Sequence, residues 1–440
     1  MTVLGILAGI LIFGLIIVIH ELGHFLAGRF FKFKITQFSI FMGPVLFERE
    51  KNGIRYNIKA FPIGASVSFA GNVSEIEGEE EDPDFDPDDP DLFVNKPRWQ
   101  RAIVIAMGPI LNFVTAFLVF TIIFTTQGAI TPVIGREDAN TLIEQSDIEV
   151  GDRIVALNGT HVYTTLDLSI AEMVREADDP WTITYKKPSG ERKQTTIYPE
   201  KSAPRPMLGI SYIEDNGRYI IQEVNQSVDH GVEGFQKGDA VISIEGIPFS
   251  EGERITQLIG ESEGKELTAE IERGRVPMTI TVKPIMLETD IPLGLVMTLS
   301  KSAKDVLSQG FHYPISVIRS TFRALGMLFA GKIAVKDSLA GPIAIVSIAA
   351  ETVKQGKTFG EIATDLASLL GVLSVAVGFT NLLPIPPLDG NHLLLIGVEA
   401  IRRKPLSEKF KSVTGMIGLI FILLAGVAVM ALDLTRLFGW

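Results

Sequence analysis

The sequence predicts a polytopic α-helical membrane protein of about four spans, with a membrane-associated β-hairpin and two α+β domains outside the membrane. Three observations lead to this prediction. Four stretches are long and apolar enough to cross a bilayer, an Asn-Gly turn joins two strand-like runs, and a pattern built around a Gly-Asp turn occurs twice in the middle of the chain.

The composition agrees with a chain that is partly membrane-embedded and partly soluble. The 440 residues suffice for more than one domain, and 46% of them are hydrophobic, with a mean hydropathy of +0.29. The net charge of −12 argues against a nucleic-acid partner. Residues 75–91 hold eleven acidic and no basic side chains, so they are predicted to form a flexible, solvated loop. The lack of cysteine excludes disulfides and thiolate metal ligands.

The apolar stretches divide the chain into five parts. The predicted spans are roughly 3–25, 102–124, 366–383 and 413–432. The predicted parts are 1–125 with the first two spans, 126–203 and 204–286 with one repeat each, 287–355 with amphipathic helices, and 356–440 with the last two spans. Basic residues cluster after the first span, before the second, and between the third and fourth. By the positive-inside rule, the short connections lie inside, and both chain ends and residues 126–360 lie outside.

The first span ends in the motif His20-Glu21-Leu22-Gly23-His24. Residues four apart share one face of a helix, so both imidazoles can reach one metal ion, and Glu21 can act as general base on a water molecule there. The motif also occurs by chance, but a glutamate at membrane depth is costly. A structural zinc site would need four protein ligands, often cysteines. A signal peptide would carry a basic start and a small-residue cleavage site, and neither is present.

An Asn-Gly pair at 52–53 separates the strand-like runs 44–50 and 54–60, which predicts a hairpin. Its flanks are too apolar for an ordinary surface loop. Two interpretations stay open: a re-entrant or interfacial hairpin beside the metal site, or a soluble hairpin covering the cytosolic end of the helices. Residues 54–60, with Ile58 among them, are predicted to offer a strand edge that binds the substrate backbone.

The repeated pattern occurs once at residues 150–159 and again at residues 237–246. Each copy has a Gly-Asp turn, an alternating strand and a glycine turn, and a helix-like stretch and a strand pair follow. This arrangement resembles two tandem PDZ domains of the bacterial, circularly permuted kind. The second copy departs from the pattern because Glu245 stands where the first has Asn158.

Residues 300–350 are amphipathic and include Arg319 and Arg323 among apolar residues. They predict a helix pair on the outer membrane face that grips or gates the membrane core. The alternative is a soluble helix pair packed on the two repeats.

Two histidines and a water leave a zinc ion one protein ligand short. The third span ends in Asn381-Leu-Leu-Pro384-Ile-Pro-Pro-Leu-Asp389-Gly, where three prolines break the helix. Broken backbone at membrane depth lines a cavity or is packed in protein. Asp389 is therefore the favoured third ligand. A helix N-cap role for Asp389 is the alternative, and His392 is the competing ligand; His161, His230 and His312 fall on the far side of the membrane. Asn381 can hydrogen-bond an extended substrate backbone.

These motifs together resemble the site-2 protease family of intramembrane zinc proteases, and the resemblance covers essentially the whole chain. It rests on the His-Glu-Leu-Gly-His motif, Met107-Gly-Pro-Ile-Leu-Asn112 opening the second span, residues 381–390 in the third, and the tandem repeats outside. The resemblance implies Zn²⁺ held by His20, His24 and Asp389, with Glu21 as base. It also implies roles for Asn112, Asn381 and Pro384 in the substrate cleft.

The same resemblance implies a place and a set of substrates. The protein is expected in the bacterial inner membrane, with its PDZ domains in the periplasm. Its expected partners are the lipid bilayer and single-span membrane proteins already shortened outside by another protease. An anti-sigma factor, whose cleavage starts an envelope stress response, and remnant signal peptides are the two expected classes.

Two other functions fit parts of the sequence. A PDZ-bearing membrane scaffold with a structural or vestigial metal would have no need of an acid between the two histidines. A metal transporter would need acidic or histidine residues on several spans, and only Asp365 and Asp389 offer them. Glu21 therefore favours the protease.

Overall fold

The computed structural model describes residues 3–71, 88–136, 141–176, 178–215, 217–225, 234–333, 341–354 and 358–438. The acidic stretch predicted to be a loop lies outside the described residues up to position 87. His230 also lies outside them.

The described residues form nine α-helices and sixteen strands. The helices are α1 (Val3–Phe30), α2 (Arg98–Gln127), α3 (Thr165–Val174), α4 (Gly252–Glu261), α5 (Ala303–Phe329), α6 (Pro342–Lys354), α7 (Phe359–Asn381), α8 (Asp389–Arg402) and α9 (Glu408–Phe438). The strands are β1 (Ile35–Lys51), β2 (Ile54–Phe69), β3 (Ala129–Arg136), β4 (Arg153–Leu157), β5 (Thr160–His161), β6 (Trp181–Lys186), β7 (Arg192–Ile197), β8 (Arg205–Met207), β9 (Ile210–Asp215), β10 (Arg218–Val224), β11 (Ala240–Ile244), β12 (Ile247–Pro248), β13 (Leu267–Arg273), β14 (Val276–Val282), β15 (Ile285–Leu287) and β16 (Val296–Ser300).

Four helices, α1, α2, α7 and α9, are long and apolar enough to cross a membrane. The chain is thus a multi-pass membrane protein with additional β-sheet domains. The third span ends at Asn381, two residues before the predicted end. Pro384 explains the difference, because a proline disfavours helical backbone at the residue before it.

The helices α1 and α2 approach closely. A side chain at Gly23 would place its first carbon 2.2 Å from the backbone oxygen of Met107, so only glycine permits this contact. The close approach brings the end of the first span, with its two histidines, against the start of the second.

The predicted hairpin is longer than expected and folds back on itself. Both strands bend, β1 at Phe41 and Gly43 and β2 at Gly64, where the backbone has positive φ. Residues 35–40 then pair with 65–69 on one side and with 55–58 on the other, while 45–51 pair with 54–59. The result is a sheet of four segments, with 65–69 and 45–51 as its two outer edges.

This register corrects one prediction. Ile58 pairs with Phe47 on one side and with Ile40 on the other, so its backbone is not a free edge. Residues 55–58 of the predicted run therefore cannot add a substrate strand, because they pair with neighbouring segments on both sides. The side chain of Ile58 remains 43% exposed.

The two repeats fold into domains of the same topology. Module 1 consists of β3–β7, α3 and β16, and module 2 consists of β9–β14 and α4. Their sheets have the orders β7-β6-β4-β3-β16 and β14-β13-β11-β10-β9, with β5 and β12 as side hairpins. Each edge strand, β16 or β9, follows a buried leucine and a glycine, at Leu293-Gly294 and Leu208-Gly209.

Module 2 is inserted into module 1. The edge strand β16 pairs antiparallel with β3, although all of module 2 lies between them in the sequence. The part predicted as 126–203 therefore lacks one strand of its sheet, which comes from the part predicted as 287–355. Two connecting strands, β8 and β15, pair with each other from Arg205–Leu287 to Met207–Ile285. This two-stranded stalk joins module 2 to the rest.

The amphipathic region forms α5 and α6, and both pack against spans. The ring of Tyr313 lies 4.5 Å from that of Phe120 in α2, and Phe322 lies 4.9 Å from Phe379 in α7. A side chain at Gly9 in α1 would meet the backbone of Val346 in α6 at 3.0 Å. The two helices thus belong to the helical bundle as well as to the domains, which differs from a pair lying only on the outer surface.

Candidate metal centre

The last turns of α1 carry both histidines on one buried face. His20 and His24 are 6% and 7% exposed, and their Nε2 atoms lie 3.2 Å apart. Their spacing of one helical turn brings the rings together, with centroids 4.9 Å apart.

Asp389 reaches the same point from the other end of the chain. It is the first residue of α8, directly after the proline-rich loop, and Leu388 is the N-cap residue. The carboxylate therefore does not cap its own helix. Its Oδ2 atom lies 2.9 Å from His20 Nε2 and 3.4 Å from His24 Nε2.

These three atoms fit a zinc ion. They form the one cluster of potential metal ligands found among the described residues, and His392 is not part of it. Two ligands about 2.1 Å from a tetrahedral ion lie about 3.4 Å apart, close to the separations seen here. Gly108 in α2 leaves the necessary space, because a side chain there would lie 2.3 Å from His24 Nε2 and 2.9 Å from His20 Nε2.

The other nitrogen of each imidazole contacts α2. His24 Nδ1 lies 2.9 Å from the backbone oxygen of Val104, to which it can donate. His20 Nδ1 lies 3.3 Å from the amide of Asn112. Hydrogen bonds at this second nitrogen fix the ring orientation and leave Nε2 free to bind a metal.

Asn112 was expected in the substrate cleft, but its side chain is 0% exposed. It lies behind His20, and its contact is with that ring. The amide oxygen has no hydrogen-bond partner among the described residues. Rotation of the amide would turn this oxygen towards Nδ1, which carries the proton when Nε2 binds a metal.

Glu21 lies beside the cluster without belonging to it. Its Oε2 accepts a hydrogen bond of 3.1 Å from the backbone N–H of Val67. Val67 sits in the edge segment 65–69 of the folded hairpin, so the hairpin and the predicted base are in direct contact. Of the two interpretations of the hairpin, this contact favours the one that places it beside the metal site.

Two of the remaining predicted site residues lie at or next to the loop that leads to Asp389. Asn381 ends α7 and is partly buried, and Pro384 is exposed in the loop. Ile58 lies in the folded hairpin, on an inner strand. Of the three histidines expected to be remote, the structure describes two, and neither belongs to the cluster. His161 lies in β5, and His312 in α5 stacks on Tyr163 with ring centroids 4.5 Å apart.

Sequence reasoning missed three residues of this site. Gly108 clears the metal position, Val104 orients His24, and Val67 contacts Glu21. The Met-Gly-Pro triplet at 107–109 was a usable signal for the first, because a glycine inside an apolar helix often marks a close approach. The other two act through backbone atoms, which no residue type reveals.

Comparisons with known proteins agree with this geometry. The family model described as peptidase family M50 matches residues 8–425. The chain is 28% identical to the regulator of sigma-E protease RseP of Escherichia coli (strain K12), over 96% of this chain and 97% of that protein. It is 27% identical to the regulator of sigma E protease of Salmonella typhi, over 98% of each chain. A protein of Pasteurella multocida (strain Pm70) named as a putative zinc metalloprotease is 28% identical, over 93% of each chain.

Proposed function

The chain belongs to peptidase family M50 and is a zinc-dependent metalloprotease of the membrane, and from this premise we propose that it cuts single-span membrane proteins at the level of the bilayer. The observation that carries the proposal is the convergence of His20, His24 and Asp389 on one point beside Glu21. The two histidines come from the helix Val3–Phe30, which is apolar enough to span.

Each residue has a distinct role in the proposed reaction. His20, His24 and Asp389 would hold a zinc ion, which would polarise the scissile carbonyl and activate a water molecule. Glu21 takes the proton of the attacking water and passes it to the leaving amine. His24 is held by Val104 and His20 by Asn112, so both rings keep one orientation throughout. Glu21 is likewise held, by Val67.

The substrate backbone has to be extended for cleavage, because the peptide bonds of a helix are covered by neighbouring turns. The segment 65–69 is an outer edge of the folded hairpin, and the backbone N–H of its Val67 donates to Glu21. A substrate segment paired along this edge would lie next to the base. The other side of the cleft would be lined by Asn381, at the end of α7, and by Pro384, in the loop that leads to Asp389.

The two modules are proposed to be PDZ domains that act outside the membrane as a size filter. They contribute neither a member of the described metal cluster nor the base. A bulky outer domain on a substrate would not pass them, while a shortened tail would. By similarity to a regulator of sigma-E protease, the proposed substrates are a shortened anti-sigma factor and remnant signal peptides, and the proposed location is the bacterial inner membrane with the modules in the periplasm.

A set of variants in the purified full chain tests the assignment. Glu21→Gln should keep zinc and lower cleavage of a shortened single-span substrate by roughly 10²- to 10⁴-fold, the usual contribution of a general base. Glu50→Gln, which changes an exposed acid on the hairpin, is the matched control and should cleave normally. Asp389→Ala should lose zinc, whereas His392→Ala should retain it.

Two results would contradict the proposal. Near-normal cleavage by Glu21→Gln would remove the base, and unchanged zinc in Asp389→Ala would move the third ligand elsewhere. A scaffold that only binds partners would show no cleavage in any of the variants or in the wild type.

A further inference from the structure

We infer that the junction of α8 and α9 is a binding site for an anionic phospholipid, which places one acyl chain in an apolar groove and its phosphate against Arg402 and Ser407. This inference concerns a different part of the molecule from the metal centre and does not depend on the proposed substrates.

The groove lies between the helix that starts at Asp389 and the start of the fourth span. It has a volume of about 570 Å³, in the range of pockets that hold small ligands. Six of its eight lining residues are apolar, and Arg402 and Ser407 are the polar ones. The lining residues are Leu394, Leu395, Val398, Arg402, Pro405, Leu406, Ser407 and Phe410.

A buried acid holds the walls of the groove in place. Glu399 is 3% exposed and accepts a hydrogen bond of 3.1 Å from the backbone N–H of Leu406. It also pairs with Lys411 of α9 at 3.2 Å and with Arg101 of α2 at 3.5 Å. Although burial opposes ionisation, these donors hold the pKa of Glu399 below its ordinary value. One carboxylate therefore ties three helices and the connecting loop together, so the groove exists before any ligand binds.

The rim of the groove carries an excess of positive charge. Residues 402–411 contain five basic side chains and one acid, Glu408. Lys411 is engaged by Glu399, but Arg402, Arg403, Lys404 and Lys409 are exposed and make no ion pair with another described residue. Such a cluster at the end of a span attracts anionic lipid headgroups, and basic pockets between spans bind them specifically.

The apolar part of the groove is open to the outside of the protein. Leu394 and Phe410 are each 49% exposed, on helices that meet at the end of a span. In a bilayer, these surfaces contact acyl chains instead of water. At the polar end, the Ser407 oxygen accepts the backbone N–H of Phe410 at 3.4 Å, which leaves the O–H of Ser407 to donate to a phosphate oxygen. An apolar groove with a positively charged rim matches a phospholipid better than a soluble anion.

Native mass spectrometry of the full chain tests this inference. The protein would be released from nanodiscs of phosphatidylcholine, with or without phosphatidylglycerol, and the retained lipids would be counted. The wild type should retain phosphatidylglycerol in preference to phosphatidylcholine. Arg402→Gln should weaken that retention by about fivefold, the effect of about 1 kcal/mol for one basic residue at an anionic surface.

Two further variants make the result specific to the groove. Arg49→Gln removes an exposed basic residue from the hairpin and should retain the lipid like the wild type. Val398→Trp should fill the groove and lower retention while all basic residues stay. Zinc content reports whether each variant is folded. Equal weakening by Arg402→Gln and Arg49→Gln, normal retention by folded Val398→Trp, or equal retention of the two lipids by the wild type would overturn the inference.

Discussion

Modules 1 and 2 share a topology but differ in how they are attached. Module 1 is docked on α5 through a buried polar cluster, whereas module 2 is connected through the β8–β15 stalk. The residues that set the fold recur in both copies, and those that set the attachment do not. A repeated sequence pattern therefore predicts the fold of each copy but not its place in the molecule.

The shared features are the turns. The buried Asp152 and Asp239 each accept a backbone N–H three residues earlier, from Glu149 and Gln236. Asp239 is also paired with Arg273, whose two nitrogens each lie 2.8 Å from one of its oxygens. At the glycine turn that follows the strand, the replacement of Asn158 by Glu245 preserves the contact.

The side chain of Asn158 accepts the backbone N–H of Thr182, and that of Glu245 accepts the backbone N–H of Thr268. Both residues have positive φ, at 47° and 49°. A different side chain thus makes the same contact in the same backbone conformation.

One difference in attachment lies at the third residue of the repeated helix. In module 1, Asp167 is 0% exposed and accepts the backbone N–H groups of Tyr163 and Thr164. It also accepts the hydroxyl of Ser316 in α5 at 2.8 Å, and Arg319 of α5 lies 3.8 Å away. Its counterpart in module 2, Arg254, is exposed and pairs only locally with Glu251.

Asp167→Ala should have the largest effect on the attachment of module 1. It leaves the backbone donors of Tyr163 and Thr164 and the Ser316 hydroxyl without an acceptor in a buried place, at a cost of roughly 3 kcal/mol shared between the start of α3 and its docking on α5. Amide hydrogen exchange in α3 and β5 of the full chain should rise accordingly. Arg254→Ala is the matched control, with an expected change below about 0.5 kcal/mol. Equal exchange in the two variants would mean that Asp167 does not anchor the module.

Exchange of Asn158 and Glu245 between the modules should have a smaller effect. Asn tolerates positive φ better than Glu, so Glu245→Asn should stabilise module 2 by about 0.5 kcal/mol while keeping the bond to Thr268. The reciprocal Asn158→Glu should destabilise module 1 by a similar amount. Protection of β11 and β4 against hydrogen exchange measures both changes. A loss of protection in Glu245→Asn would show that the longer side chain is needed there.

Excision of module 2 should change the membrane part least. Because Met207 pairs with Ile285, residues 208–284 can be replaced by Asn-Gly, which closes a two-residue hairpin. Zinc content and cleavage of a shortened substrate should stay at the wild-type level. If module 2 is part of the size filter, the variant should also begin to cut a substrate with an intact outer domain. Loss of zinc would show that the stalk transmits structure to the metal centre.

The features that the sequence predicted well are local or chemically constrained. The spans follow from uninterrupted apolar runs, and the histidine pair follows from helical spacing. The partner Asp389, 369 residues from His20, could be inferred because a metal ion needs a third ligand and few buried acids were available. Its carboxylate lies within hydrogen-bonding distance of His20 in the structure.

The features that were missed depend on distant pairing. The strand β16 joins β3 across an inserted domain, and nothing in its five residues indicates that partner. The folded hairpin was missed because its bend uses positive φ at Phe41, a residue type that rarely adopts it. The contact of Asn112 with His20 could not be predicted, because a polar residue in a span fits a substrate cleft and a ligand support equally well.

The insertion of module 2 also has a consequence for biosynthesis. Strand β3 ends at Arg136, but its neighbour β16 begins only at Val296, about 160 residues later. At roughly 5–20 residues per second, the ribosome needs about 8 to 30 s to supply that strand. Module 1 therefore begins to be synthesised before module 2 but is completed after it. Strand β3 lacks its neighbour β16 while module 2 is made. A chaperone that shields unpaired strands would meet this nascent chain at β3.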